Sequence, residues 1–211
     1  DRGRHHPEKL FKGALSLLLA SAGAEDQFIN DFFRNDSNVI APLFKPSLVA
    51  LQEYFRAQVE QSHDCIALLL MIRITQHVKL DLQARDLQAA VFTSFLDSLS
   101  ILLWPRFKAL LDTHMASLRT APIHGLLTQG GVLQGDKFPL AITRRFAELS
   151  CSLLLLRDSE SGERLDHSLH FMRCELEALV ARVAGTIAAP KLQLVFQINQ
   201  WDAITHHYDD R

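Results

Sequence analysis

The chain has 211 residues, of which 48% are hydrophobic, and a formal charge of −2 from 22 Lys and Arg against 24 Asp and Glu. That is enough apolar material for a sizeable core and too much for a disordered chain, while the mixed charge provides no general field for nucleic acid or an anionic membrane. Cys65, Cys151 and Cys174 lie far apart without a Cys-x-x-Cys pair, which excludes a disulfide framework or a structural zinc site legible from spacing and fits a reducing compartment.

Arg2, Arg4, Lys9 and Lys12 stand around the start of an apolar stretch that ends in Ala20, Ser21 and Ala22, the outline of a secretory signal. Glu8 interrupts the basic region, so the stretch is read as a short amphipathic helix. The opening Asp1, where a methionine would begin a whole protein, is expected of a piece of something longer. Pro7 suits the first turn of a helix reaching about Ala20, with Gly23 as its stop. A second helix is expected from Ala24, with Phe28, Phe32 and Phe33 on its apolar side, ending before the turn cluster Asn35, Asp36, Ser37 and Asn38.

Pro42 and Pro46 then precede a longer helix in which Leu48, Leu51, Phe55, Val59, Ser62, Ile66, Leu69 and Arg73 alternate by three and four, the spacing of a bundle face. Residues 81–86 form a charged break. After it, Leu87, Val91, Phe95 and Leu99 lead into Leu102-Leu103-Trp104-Pro105-Arg106-Phe107, and Phe107, Leu110, Leu111, Met115 and Leu118 lead out. One long helix is thus expected to cross a proline. Pro105 has no N–H for the carbonyl of Ile101 and its ring crowds that carbonyl, so the helix is expected to bend there or to break and restart. Trp104 and Pro105 are read as a structural hinge, with Trp104 packed at the bend.

Residues 120–139, which contain Pro122, Gly125, Gly130, Gly131, Gly135 and Pro139, read as a Gly-rich irregular loop. Three more helices follow. The first carries Ile142, Phe146, Leu149, Leu153 and Leu156. The second, after a turn at 158–162, carries Leu165, Leu169, Met172, Leu176, Leu179 and Val183 over nearly three heptads. The last begins near Pro190 and carries Leu194, Ile198 and Trp201. Strand alternation is absent, so the expected class is all-α, an elongated antiparallel helical bundle in which residues 1–211 form a single rod-like segment. The longest apolar run, residues 65–72, falls well short of the roughly 20 residues that span a bilayer. Any membrane connection is expected to be peripheral.

Chemistry-bearing motifs are sparse. Glu60 and His63 match the Glu-x-x-His spacing of di-metal bundles, but a second copy is required and none exists. His167, His170 and Cys174 share a helical face, yet tetrahedral zinc needs a fourth ligand without a candidate. The terminal pairs His5-His6 and His206-His207 read as exposed polar residues. Gly130, Gly131 and Gly135 lack the Gly-Lys-Ser/Thr of a phosphate cradle, and no nucleophile-elbow motif is present. No catalytic, cofactor or metal site is therefore assigned. Arg144 and Glu148 are four apart, the spacing of an exposed helical pair. The adjacent Arg144 and Arg145 are also the leading candidates for gripping an acidic partner.

Three blocks carry a resemblance: Leu102 to Phe107 as quoted, Ile142-Thr143-Arg144-Arg145-Phe146-Ala147-Glu148-Leu149-Ser150, and Gln193-Leu194-Val195-Phe196-Gln197-Ile198-Asn199-Gln200-Trp201-Asp202. With His6-Pro7, Phe32-Phe33 and Asp64-Cys65-Ile66-Ala67, they resemble part of the C-terminal half of the vacuolar protein sorting-associated protein fifty-two family over most of the chain. The resemblance implies a helical, non-enzymatic tethering subunit of the Golgi-associated retrograde protein complex or its endosomal counterpart, without a cofactor. It implies retrograde transport to the trans-Golgi network ahead of SNARE-mediated fusion and peripheral association with Golgi and endosomal membranes. The implied partners are the other complex subunits, Rab-class small GTPases and SNARE proteins. The coiled-coil region through which that family assembles is not matched here, and residues 126–137 depart from the family pattern. A generic helical adaptor and a helical metal protein are the alternatives.

Overall fold

Why the chain settles into helices is visible in its first segment. Phe11, Leu15, Leu19, Ala22 and Ile29 are all buried and recur at helical spacing, so one apolar stripe runs through what the sequence divides into two helices. In the computed structural model, which describes residues 6–32, 39–84, 90–129, 139–157 and 162–209, this stripe lies on a single helix, α1, Pro7–Phe32. Gly23 does not stop it, because burial of Ala22 and Ile29 on either side outweighs the roughly 1 kcal/mol that an interior glycine costs. Phe28 and Phe32 stack on each other, ring centroids 4.7 Å apart, and both are exposed. Phe33 and the expected turn cluster at 35–38 lie outside the described residues.

The order continues with α2 (Ile40–Gln61), α3 (Cys65–Ala84), α4 (Ala90–Thr120), α5 (Ile123–Gln129), α6 (Ala141–Leu155), α7 (Gly162–Ala184) and α8 (Pro190–Asp209). The described residues are all-α and contain no strand. They group into two compact units, Asp1–Leu110 and Leu111–Arg211, and the division falls within α4.

In the first unit, α1 packs on α3 and α2. Phe11 meets Phe55 of α2 at 4.6 Å, and Phe44 of α2 meets Phe92 of α4 edge-on at 5.0 Å. Pro42 and Pro46 sit inside α2 rather than before it. The apolar stripe of α2 starts at Ile40 and Phe44. Pro42 lies in the first turn and lacks only an N–H that would have no helical acceptor. Pro46 forgoes the bond to the Pro42 carbonyl, a loss offset by burial of Phe44 and Leu48 beside it. The helix expected to run from Leu48 to Arg73 is broken at residues 62–64. There Asp64 Oδ1 accepts the backbone N–H groups of Ile66 and Ala67 at 2.9 and 3.0 Å, an N-cap that restarts the helix as α3. Ile66 is consequently exposed while Ala67, Leu68 and Leu69 are buried.

The helix across the proline forms as expected: α4 carries Pro105 in its interior. Around it, Leu103 and Phe107 are fully buried. Trp104 is half-buried and lies edge-on to Phe107, centroids 5.8 Å apart. Arg106 turns back to the break before α3. Its Nε and Nη2 donate to the Ser62 carbonyl at 3.2 and 2.7 Å, satisfying an acceptor at the C-terminal end of α2. Lys79 and Asp97 add an exposed α3–α4 ion pair at 2.7 Å.

In the second unit, α6 and α7 both pack on α8, and α5 packs on α7. All six expected positions of α7, from Leu165 to Val183, are buried. The last part of α4 is tied to α7 twice. Arg119 pairs with Glu175, and Arg182 Nη2 donates to the Leu118 carbonyl at 3.2 Å. The hydrogen bond from Arg119 lowers the pKa of the Glu175 carboxyl. Two expectations change here. Within the Gly-rich stretch 120–139, Ile123–Gln129 form α5, whereas 130–138 lie outside the described residues, as do 158–161 of the expected turn. On α8 the buried positions are Phe196, Gln200 and Ile204, while Leu194 and Ile198 are exposed.

These burials order the cost of truncation at the joint. Phe107→Ala is expected to cost about 3–5 kcal/mol, and Trp104→Ala, half-buried, about 1–2 kcal/mol. Denaturant unfolding followed by far-ultraviolet circular dichroism checks the order. A larger loss for Trp104→Ala contradicts it. Gly23→Ala, whose added Cβ meets nothing within 4 Å, is expected to stabilise by about 0.5–1 kcal/mol in the same assay.

Candidate interaction surface

The arginine pair sits on α6, and α6 is held at its start by a buried side chain from α8. Gln200 is fully buried, and its Oε1 accepts two hydrogen bonds at 2.8 Å, from the Leu140 backbone N–H and from the Thr143 hydroxyl. Thr143 is itself fully buried. Further along, the Ser150 and Tyr208 hydroxyls lie 2.6 Å apart, and Ser150 also donates to the Phe146 carbonyl at 2.7 Å. The second and third sequence blocks therefore face each other across one polar seam between α6 and α8. The first block is tied in the same manner, through Arg106, to the Ser62 carbonyl beside Asp64 and Cys65. Spacing could not reveal these ties, since a glutamine on a helix reads as solvent-facing.

With Thr143, Phe146 and Ala147 buried, the 100° step per residue turns Arg144 and Arg145 to the outside, where both are exposed. The expected Arg144–Glu148 pair is not formed, and neither guanidinium makes an ion pair among the described residues. By contrast, Arg157 binds Asp166 at 2.7 Å and Arg173 binds Glu177 at 2.9 Å. Two adjacent cations without carboxylate partners among the described residues, on a helix whose N-terminus is held by Gln200, have the chemistry to meet acidic groups.

The remaining sequence candidates do not converge on a reactive centre. Glu60 lies on α2 but His63 falls in the break after it, so the two no longer share a helical face. His167, His170 and Cys174 are exposed on α7. Cys174 Sγ is 3.8 Å from His170 Nε2, and His167 stacks edge-on to Phe171. Among the described residues no group of three or more His, Cys, Asp or Glu could hold a metal ion. A cleft of about 390 Å³ in the first unit is lined by Leu10, Phe11, Tyr54, Phe55, Gln58, Val59 and Met71. Its walls offer a phenol and an amide but no acid–base pair. Burial pushes the Cys65 thiol up to about 11, with Asp64 adding to the effect, so Cys65 is a poor nucleophile. None of the described helices is long and apolar enough to cross a membrane.

A family profile described as "Vps52, C-terminal" matches residues 1–210. The chain is 34% identical over 195 residues to vacuolar protein sorting-associated protein 52 A of Arabidopsis thaliana, covering 92% of this chain and 26% of that protein. It is 30% identical over 203 residues to the vacuolar protein sorting-associated protein 52 homolog of Homo sapiens, covering 94% and 27%. It is 32% identical over 194 residues to vacuolar protein sorting-associated protein 52 of Schizosaccharomyces pombe, covering 90% and 37%. The chain thus spans about a quarter of the length of the plant and human proteins. No solved structure matches it significantly.

Gln200→Ala removes one acceptor from two buried donors, and an unsatisfied buried group costs about 1–3 kcal/mol. The expected loss is about 2–4 kcal/mol, against roughly 1 kcal/mol for Thr143→Val, which deletes one donor while leaving the acceptor a partner. Equal losses in denaturant unfolding would argue against the shared acceptor. In the native chain, iodoacetamide at pH 8 is expected to label Cys174 and spare Cys65 and Cys151, which are buried. Mass spectrometry of peptides reads the outcome.

Proposed function

The chain belongs to the Vps52 C-terminal family, and from that membership we propose that it forms part of a subunit of a multisubunit vesicle-tethering complex. In this reading the complex acts in retrograde transport from endosomes to the trans-Golgi network, upstream of SNARE-mediated fusion. The subunit works on the cytosolic face of Golgi and endosomal membranes, attached through its partners. It performs no catalysis and uses no cofactor. The observation that carries the reading is the family match over residues 1–210.

Two features of the molecule support it. Its polar ties serve packing: Gln200 to α6 and Arg106 to the break before α3. Its charged surface instead presents Arg144 and Arg145 without carboxylate partners among the described residues. We assign that pair to an acidic patch on another complex subunit, a Rab-class small GTPase or a SNARE protein. We also assign Trp104 and Pro105 to a structural joint, a reading supported by the edge-on contact of Trp104 with Phe107.

The test uses the full-length protein in cells. It is expected to co-purify stoichiometrically with other helical subunits and to sit at Golgi or endosomal membranes, and a monomer diffuse in the cytosol rejects the reading. Arg144→Glu combined with Arg145→Glu is expected to weaken one of those associations at least tenfold. Because both side chains are exposed, stability should change by less than about 0.5 kcal/mol. Full retention of every partner by this variant moves the binding surface elsewhere.

A further inference from the structure

The final helix, α8, has a second apolar face. Phe196, Gln200 and Ile204 are buried, but Leu194, Ile198, Trp201, Thr205 and Tyr208 recur at alternating steps of four and three, the spacing of a seam between two helices. Leu194 is 60% exposed, Ile198 55% and Tyr208 37%, and Trp201 is half-buried. The seam is held in place from beneath by Gln200 and from its end by the contact of Tyr208 with Ser150.

Its border is charged unevenly. Asp202 and Asp209 follow Trp201 and Tyr208 directly, and being seven residues apart they lie on one flank of the seam. Both are exposed, and neither makes an ion pair among the described residues. Lys191, seven residues before Ile198, continues the seam at its N-terminal end, and the opposite flank carries uncharged Gln197.

We propose that this seam docks an amphipathic helix of a different chain, one whose apolar stripe is bordered by two basic residues about seven positions apart. A second copy of this chain fits the charges less well. Antiparallel pairing sets Asp202 against its own equivalent near the centre, and parallel pairing sets it beside Gln197. A helix with a basic residue facing each of them satisfies both aspartates. The inference stands on α8 alone and goes beyond the transport route proposed above.

The probe is a 21-residue helical peptide with leucine at the seam positions and lysine on both flanks, compared with its glutamate-flanked twin. Fluorescence anisotropy with the 211-residue chain is expected to show at least tenfold tighter binding of the lysine peptide. Ile198→Asp and Leu194→Asp should each weaken it at least tenfold with helical content unchanged. Leu17→Asp, exposed on α1, should leave it intact. Asp202→Lys with Asp209→Lys should reverse the peptide preference. Equal affinity for the two peptides overturns the proposal, as does binding that survives Ile198→Asp or is lost equally with Leu17→Asp. A dimer in sedimentation that Ile198→Asp dissolves also overturns it, giving the seam to a second copy. Absence of the full-length protein from a tethering complex would count against the family-based reading and leave the titration to decide the seam.

Discussion

The hydrogen bonds to the Gln200 carboxamide are the constraint on which the second unit depends. A helix start leaves its first N–H groups without acceptors, and burial makes that omission costly. Here Leu140 is buried and offers no side-chain cap of its own. An acceptor must therefore come from outside, and it comes from the middle of α8. The same oxygen takes the Thr143 hydroxyl, so one atom fixes both the rotation of α6 about its axis and its register against α8. Everything else on α6 follows from that rotation. Phe146 and Ala147 go in, and Arg144 and Arg145 go out.

The first unit solves a related problem with a charge. The break at residues 62–64 creates two helix ends at once. Asp64, whose carboxylate sits at the positive start of α3, answers the orphan donors there. Arg106, donating from two nitrogens, answers the Ser62 carbonyl. The arginine is available only because α4 continues through Pro105. A helix that stopped at the proline would present Arg106 from an unconstrained loop, and the tie across 44 residues of chain would be lost. The proline is tolerated because Leu103 and Phe107, one turn apart on either side, are both fully buried, and their burial offsets the missing bond to Ile101.

Much of this was legible in the sequence where one face of a helix is apolar and the others are not. The heptad positions of α7 fell on the buried side without exception, and the helix across Pro105 formed where the spacing on both flanks demanded it. Reading failed where a polar residue does the work of a core residue or a breaker is overruled. Asp64 was invisible as a cap because the three-and-four pattern of Val59, Ser62 and Ile66 ran straight through it. Gly23 looked like a stop because glycine usually is one, yet nothing in α1 asks for a left-handed residue there. Of the candidate site, the exposure of Arg144 and Arg145 could be anticipated from Phe146 and Leu153. Their lack of a carboxylate partner among the described residues could not, since a glutamate four residues on satisfies the spacing rule without forming the bond.

On α8 the failure is informative about function. The pattern Leu194, Ile198 and Trp201 is as good a helical stripe as Phe196, Gln200 and Ile204, and better by hydropathy, because the second contains a glutamine. Packing nevertheless selected the second. The selection follows from the donors at Leu140 and Thr143: a purely apolar face turned toward them would leave both buried and unsatisfied, at a cost exceeding what the extra methylene groups return. Satisfying the interior thus forces the more hydrophobic stripe of α8 outward. A helix with one face committed to its own core and a second, equally periodic face left in water has a periodicity that its own fold does not explain. Asp202 and Asp209, without ion-pair partners among the described residues, then give that face a sign, which is what distinguishes a surface for a particular partner from apolar residues that happen to be exposed.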